Sequence, residues 1–103
     1  GADGVMIHSR RKEPDEVFAF ADAFRKEYAH VPLVAVPTSY SSVTEAELAA
    51  HGVNIVIYAN QLTRSAFPAM ERTAMSILKH HRSLEADADL MPFKDIIRLI
   101  DEV

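Results

Sequence analysis

Three short apolar segments, each followed by a stretch with helical periodicity, most constrain how this chain can fold. They are Val5–Ile7, residues 32–37 ("PLVAVP") and residues 53–59 ("VNIVIYA"), and they contain no charged residue. Apolar runs of this kind are typical of strands buried on both faces of a parallel sheet. Strand and helix alternate three times, which predicts right-handed βα crossovers and three parallel strands with flanking helices.

The stretch after the first strand predicts a helix. Pro14 is tolerated in a first helical turn, and Asp15 and Glu16 behind it suit the positive end of the helix dipole. Apolar residues then recur at three- and four-residue steps and form one face, which is made by Val17, Phe20, Ala21, Phe24 and Tyr28.

Further helices are predicted along the rest of the chain. Thr44 and Glu47 stand in capping-box spacing, which predicts a short helix with Gly52 as its terminator just beyond it. A long helix is predicted over residues 63–82, with Pro68 in its first turn, where a missing N–H costs least. The apolar faces of this helix and of a final one consist of Phe67, Met70, Ala74, Ile77 and Leu78, and of Phe93, Ile96, Ile97 and Ile100.

The alternation leaves two architectures open. One is a small open α/β sheet, and the other is three consecutive units of a (β/α)8 barrel, which as a whole needs about 250 residues. With 103 residues, 49% of them hydrophobic and 25% charged, we predict one folding unit over residues 1–103. Because a strand begins almost at once, without an initiator methionine, we expect Gly1 to be a boundary and preceding residues to hold part of the function.

The composition excludes several classes of function. The formal net charge of -4 offers no basic stripe for nucleic acid or for an anionic membrane surface, so neither partner is expected. No apolar run approaches the roughly 20 residues that span a bilayer, and we expect a cytoplasmic protein. The lack of cysteine excludes disulfides, thiolate nucleophiles and cysteine metal sites.

In either architecture the residues that follow the strands are the candidates for chemistry, because parallel sheets hold their sites at the carboxyl ends of the strands. These residues are His8 and Ser9, 38–40 and 60–63. His8 could bind an anion or transfer a proton near neutral pH, or it could cap the strand by bonding to a loop carbonyl. Asn60 could donate a hydrogen bond to a bound carboxylate, or it could cap the long helix.

Other polar clusters favour structural roles. Residues 10–12 ("RRK") precede a helix start and could hold a phosphate, but no glycine-rich loop accompanies them, and a solvated surface run is the simpler interpretation. His80 and His81 are adjacent near a helix end, so they point in different directions and cannot chelate one metal together. The carboxylates of residues 85–89 predict a solvated connector.

At these positions the sequence resembles the phosphoenolpyruvate mutase family, of the isocitrate lyase and phosphoenolpyruvate mutase superfamily. The stretch "ADGVMIHSRRKEPDEVFAF" is similar to the family's sixth strand, its histidine-serine-basic turn and the next helix. "VPLVAVPTSY" is similar to strand seven, and "GVNIVIYANQLTRSAFPAM" to strand eight entering its helix. The resemblance implies the carboxyl-terminal βα units, about strands six to eight with the terminal helices, of a (β/α)8 TIM barrel.

The resemblance also implies an activity and a site. The family's enzyme interconverts phosphoenolpyruvate and phosphonopyruvate, forming the carbon–phosphorus bond that starts phosphonate biosynthesis, with Mg2+ bound to the substrate. His8 matches the family's active-site histidine, which contacts the transferring phosphoryl group, and Ser9, Thr38 and Asn60 are the candidates for substrate binding. The family's acidic magnesium ligands belong to earlier strands, so we expect no metal site in this chain and no activity from it alone.

Partners and alternative functions complete the expectations. The resemblance implies a homo-oligomer in which the eighth helix is exchanged between subunits, giving dimers that pair into tetramers. Three strands cut from a closed barrel expose their edges, so we predict that the chain self-associates through its first strand or through residues 63–82. Two other functions stay open: a phosphonopyruvate hydrolase of the same superfamily, distinguished by a gating loop outside this chain, and a small non-catalytic α/β module that binds an anion.

Overall fold

A computed structural model describes residues 1–100, and within them the predicted parallel sheet is present. Its strands are β1 (Val5–Ile7), β2 (Leu33–Ala35) and β3 (Ile55–Val56), in the order β1-β2-β3. Both pairs are parallel, and Ile7, Ala35 and Val56 are in register. The helices are α1 (Asp15–Glu27), α2 (Glu45–Ala50), α3 (Gln61–His80) and α4 (Phe93–Ile96), with a 3-10 helix at Leu84–Asp89.

Two strands are shorter than predicted. The segment 32–37 narrows to β2 because Pro32 and Pro37 at its ends have no N–H to donate to a neighbouring strand. The segment 53–59 narrows to β3, although the Ile57 amide still donates to the Ala35 carbonyl at 2.9 Å. Beyond that bond β2 has already turned away, since the Thr38 amide donates to the Val36 carbonyl at 2.9 Å.

The core lies between one face of the sheet and helices α1 and α2. Its buried residues are Val17, Ala21, Leu33, Ala35, Tyr40, Leu48 and Val53. The predicted face of α1 is partly wrong, because Phe20 is 36% exposed and Tyr28, just past the helix, is 47% exposed. Phe18 packs against the core instead and stacks on His51 with ring centroids 3.9 Å apart. The buried stripe of α1 is therefore rotated toward α2.

The other face of the sheet is apolar as well. Met6, Val34 and Ile55 are neighbours in the register, and Met6 and Ile55 are 58% and 50% exposed. Strands with apolar side chains on both faces are typical of parallel sheets that are covered on both sides. The sheet therefore has the character of one covered on both faces, as in either of the two architectures, rather than of a sheet with one wet face.

The short helix α2 begins and ends as the sequence predicts. The Thr44 amide donates to Glu47 Oε2 at 2.7 Å, and the Glu47 amide donates to Thr44 Oγ1 at 3.2 Å, which completes the capping box. The bond from the Thr44 amide, together with one from the Thr44 hydroxyl to Glu47 Oε2 at 3.0 Å, lowers the pKa of the Glu47 carboxyl. Gly52 follows the helix with φ of 93°, a left-handed conformation that other residues adopt only with strain.

Arg25 joins the elements at the amino-terminal edge of the sheet. Its Nε and Nη2 both donate to the Gly52 carbonyl, at 2.9 and 2.7 Å. Nη1 donates to the Tyr28 and Val31 carbonyls at 2.9 and 2.7 Å, and Nη2 also donates to Asn54 Oδ1. We call this arrangement the Arg25 clasp. It connects the end of α1, the approach to β2 and the turn before β3.

The chain divides into two compact units, Gly1–Gln61 and a second that begins at Leu62. This division does not test the prediction of a single folding unit over residues 1–103, which stays a prediction. None of the helices within residues 1–100 has the length and apolarity that a bilayer-spanning segment needs.

Several predictions for the second unit are corrected. The long helix begins at Gln61 rather than at residue 63, so Pro68 lies in its interior, where its ring removes one helical hydrogen bond, and not in its first turn. Residues 85–89 form part of a 3-10 helix rather than an irregular connector, with Ala86 buried, but their carboxylates are exposed as predicted. The final helix, α4, ends at Ile96 and leaves Ile97 and Ile100 outside it.

Candidate functional site

The carboxyl edge of the sheet collects the predicted site residues. Because the ends of the parallel strands are in register, the connections that follow them start at one edge. His8 and Ser9 follow β1 directly, while Thr38 and Asn60 lie in the connections after β2 and β3. Within residues 1–100 no hydrogen bond joins these four side chains to one another, so the structure gathers their backbones at one edge without linking them directly.

His8 is exposed where β1 ends. No described residue hydrogen-bonds to its imidazole, so the loop carbonyl that a capping histidine would use is not found among residues 1–100. The ring is therefore available to a partner from solvent or from another part of a larger protein. An imidazole can contact an anion as a donor or exchange a proton near neutral pH.

Ser9 has a structural contact as well as a place at the edge. It is buried, with 5% of its surface exposed, and its Oγ accepts from the Arg11 amide at 3.2 Å. Arg11 in turn pairs with Glu16 at 2.8 Å on the surface. In this ion pair, a carboxylate of α1 neutralises one of the three cations of residues 10–12. The pair lies on the surface, which agrees with the interpretation of residues 10–12 as a solvated surface run.

The connection after β2, which carries Thr38, is held by its own residues. Tyr40 is fully buried in the core, and the Val43 amide donates to the Tyr40 carbonyl at 3.3 Å. Burial raises the pKa of the Tyr40 phenol, and the nearby backbone amide of Val36 opposes part of that rise. The Val36 amide is not placed to donate a hydrogen bond to the phenol oxygen, which has no hydrogen-bond partner within residues 1–100. Tyr40, predicted among the strand-end candidates, therefore anchors the connection.

Asn60 stands immediately before α3 but does not cap it with its side chain. Its Oδ1 is buried and has no hydrogen-bond partner within residues 1–100. Instead, the backbone amide of Asn60 donates to the Gln61 side-chain oxygen at 3.2 Å. The helix-capping interpretation therefore has no contact to support it, and the side-chain amide of Asn60 keeps its hydrogen-bonding capacity.

One contact at this edge was not predicted from the sequence. The Tyr58 hydroxyl donates to Glu45 Oε1 at 2.8 Å, and this bond raises the pKa of the Tyr58 phenol. A signal was present, because the first turn of α2 contains two glutamates and the capping box uses only Glu47. The surplus carboxylate indicated a further partner without identifying it.

The described residues do not fit a magnesium ion. Within residues 1–100 no group of three or more His, Asp or Glu side chains is arranged to hold a metal. His80 Nδ1 lies 2.8 Å from the Ser76 carbonyl within its own helix, which agrees with a structural role. No chemical step proposed for this chain therefore involves Mg2+.

The fold and the carboxyl edge of the sheet together define the class of protein. It is a parallel α/β protein made of consecutive βα units, with its polar connections at one end of the sheet. A family model described as phosphoenolpyruvate phosphomutase matches residues 1–78. The chain is 44% identical over 100 residues to the phosphonopyruvate hydrolase of Variovorax sp. (strain Pal2), covering 96% of this chain and 33% of that protein. It is 34% identical over 103 residues to the phosphoenolpyruvate phosphomutase of Tetrahymena pyriformis, covering 99% of this chain and 33% of that protein.

Solved structures of proteins with the same two names also match this chain. The phosphoenolpyruvate phosphomutase of Streptomyces platensis subsp. rosaceus matches with a TM-score of 0.82 at 33% identity, covering 94% of this chain and 33% of that one. A phosphonopyruvate hydrolase in complex with oxalate and Mg2+ matches with a TM-score of 0.78 at 44% identity, covering 96% of this chain and 34% of that one.

The chain belongs to the phosphoenolpyruvate phosphomutase family. It spans about a third of the length of the relatives it matches, and that third is their carboxyl-terminal part. The resemblance is confirmed, and so is the prediction of carboxyl-terminal βα units of a (β/α)8 barrel. Relatives of both names, mutase and hydrolase, match the chain, so membership alone does not separate the two activities.

Proposed function

We propose that this chain supplies the carboxyl-terminal part of a phosphoenolpyruvate phosphomutase, which interconverts phosphoenolpyruvate and phosphonopyruvate. The observation that carries the proposal is His8, an exposed imidazole directly after β1, at the edge where βα proteins hold their sites. In the interconversion the carbon–phosphorus bond of phosphonopyruvate breaks and a bond from phosphorus to the enol oxygen forms. The atoms of the substrate are conserved, so the reaction is an isomerisation.

The proposed roles follow from the chemistry of each side chain. His8 contacts the transferring phosphoryl group, because an imidazole N–H can donate to a phosphoryl oxygen. Thr38 and Asn60 bind the substrate from the neighbouring connections, where the Nδ2 of Asn60 donates to a substrate oxygen and its buried Oδ1 stays free to accept from a donor outside residues 1–100. Ser9 shapes the turn behind His8 through its contact with Arg11, and its hydroxyl hydrogen stays free to donate.

We further propose that the whole protein requires Mg2+ and assembles as a homo-oligomer with helix exchange. A related phosphonopyruvate hydrolase was crystallised with oxalate and Mg2+, which supports a magnesium requirement. The resemblance implies acidic magnesium ligands on earlier strands, so we expect the 103-residue chain alone to be inactive. Phosphoryl transfer depends on several positioned groups and a metal, and the groups at this edge are only some of them.

A second candidate, hydrolysis of phosphonopyruvate, is favoured by one observation. The Variovorax hydrolase is 44% identical to this chain, whereas the mutase of Tetrahymena pyriformis is 34% identical. In hydrolysis, water takes the phosphoryl group, and the products are pyruvate and inorganic phosphate. Phosphorus NMR of a full-length protein that contains this chain, mixed with phosphonopyruvate and Mg2+, separates the two activities, because one yields phosphoenolpyruvate and the other yields phosphate.

Substitution of His8 tests the site under either activity. We expect His8→Ala in the full-length protein to lower kcat by about 100-fold or more, the effect of removing one group that stabilises the transition state. His30→Ala is the matched control, because His30 is also exposed but lies between α1 and β2, toward the opposite edge of the sheet. Turnover near the wild-type level in His8→Ala would show that the assigned role is wrong.

A further inference from the structure

The Tyr58–Glu45 hydrogen bond spans two neighbouring strand-end connections. Tyr58 is the first residue beyond the last hydrogen bond between β3 and β2, the bond from the Ile57 amide to the Ala35 carbonyl. Glu45 is the first residue of α2, where the connection after β2 ends. The 2.8 Å bond from the Tyr58 hydroxyl to Glu45 Oε1 therefore ties the end of β3 to the far end of that connection.

The connection after β2 is held at its other points by contacts of its own. Tyr40 anchors its middle in the core, and the capping box of Thr44 and Glu47 fixes the start of α2. These contacts set the shape of the connection. None of these contacts reaches the connection after β3. Among residues 1–100, the Tyr58–Glu45 bond is therefore the side-chain hydrogen bond that links the end of β3 to the connection after β2.

The exposure of this pair indicates what the bond does. Tyr58 is 57% exposed and Glu45 is exposed too, so water competes for both groups and the bond adds little to the stability of the fold. A bond that contributes little to stability can still restrict the separation of the two segments it joins. The segments here carry Thr38 and Asn60, the proposed substrate ligands.

We propose that Tyr58 is a positioning residue, whose bond to Glu45 holds the Thr38 and Asn60 connections at the spacing that substrate binding requires. The inference rests on the proposed function, since it concerns the same substrate. Tyr58 acts through these connections and does not itself contact the substrate. Its removal should therefore weaken substrate binding more than it slows the chemical step.

The test uses a full-length protein that contains this chain. In Tyr58→Phe we expect faster amide hydrogen exchange in residues 36–44 and 57–60, together with a roughly two- to threefold rise in KM for phosphonopyruvate, because an exposed hydrogen bond lies at the low end of the net range and cannot change binding by more than its own free energy. Glu45→Ala should reproduce both effects, whereas Glu45→Gln, which keeps an acceptor oxygen, should restore most of the wild-type behaviour. Tyr28→Phe is the control, because Tyr28 is similarly exposed but caps α1 near the amino edge.

The possible outcomes separate this inference from the function on which it rests. Unchanged exchange in Tyr58→Phe, or faster exchange with an unchanged KM, would overturn the positioning role. An equal rise in KM and in exchange in Tyr28→Phe would also overturn the positioning role, because the effect would then not depend on the bond to Glu45. Failure of the proposed function is recognised differently, as a wild-type protein that does not turn over phosphonopyruvate while the exchange of Tyr58→Phe still rises.

Discussion

Replacing Arg25 with methionine removes the Arg25 clasp and keeps the apolar stem of the side chain. The guanidinium donates to five neutral acceptors, of which the Gly52 and Val31 carbonyls are partly buried and the other three are exposed. Counting only the two partly buried acceptors, at about 1.5 kcal/mol for each hydrogen bond to a charged group, the loss is about 3 kcal/mol. That is a large share of the stability of a domain of this size.

Urea unfolding of the 103-residue chain, followed by far-ultraviolet circular dichroism, measures this loss as a change in the free energy of unfolding. Lys26→Met is the matched control, because Lys26 is the next residue of α1, carries the same charge and is exposed. We expect it to change stability by less than about 0.5 kcal/mol. A loss below about 1 kcal/mol in Arg25→Met, or an equal loss in Lys26→Met, would refute the assigned strength of the clasp.

Two further predictions concern α2 and the turn behind it. In Gly52→Ala the new Cβ would lie 2.6 Å from Arg25 Cγ at a φ of 93°, so urea unfolding should show a loss of at least about 1–2 kcal/mol, whereas Gly4→Ala, whose Cβ would meet its nearest atom at 3.4 Å, should lose much less. Thr44→Ala should lose about 1 kcal/mol by the same assay. The capping box lowers the pKa of Glu47 below its ordinary 4.5, so its stabilisation is complete above pH 4.5 and is lost as the pH falls through the lower folded-state pKa. Glu47→Gln should therefore show a flatter acid limb, whereas Thr44→Ala, which keeps the backbone amide that lowers the Glu47 pKa most, should flatten it only in part; an unchanged limb in Glu47→Gln would contradict this reasoning.

The elements that the sequence predicts well are those decided by neighbouring residues. Thr44 and Glu47 are three positions apart and satisfy each other's backbone groups, so the start of α2 follows from local chemistry. Its end follows from Gly52, which adopts a left-handed conformation at little cost. The lengths of β2 and β3 were overestimated because a strand lasts only as long as its neighbour pairs with it, and apolar residues continue beyond that point.

The contacts that the sequence did not predict join residues far apart in the chain. Arg25 and Gly52 are 27 positions apart, and Tyr58 and Glu45 are 13 apart. No periodicity relates such pairs, because their meeting depends on how the helices pack on the sheet. Phe18 shows the same limit, since its stacking on His51 rotates the buried stripe of α1 by an amount that helical spacing alone does not specify.

The two edges of the sheet differ in how their polar groups are used, and this difference supports the assignment of function to the carboxyl edge. At the amino edge, Arg25 uses its donors on carbonyl and amide oxygens of residues 1–100. In the connections after β2 and β3, at the carboxyl edge, the buried Tyr40 phenol oxygen and the buried Asn60 Oδ1 have no hydrogen bond to the described residues, while His8 is exposed there as His30 is toward the amino edge. A buried polar atom without an internal partner is costly to the fold, so its place at the strand ends is better explained by a partner from outside these residues. The sequence could predict which residues reach that edge, because parallel strands end together, but only the three-dimensional contacts show which of them keep free hydrogen-bonding capacity there.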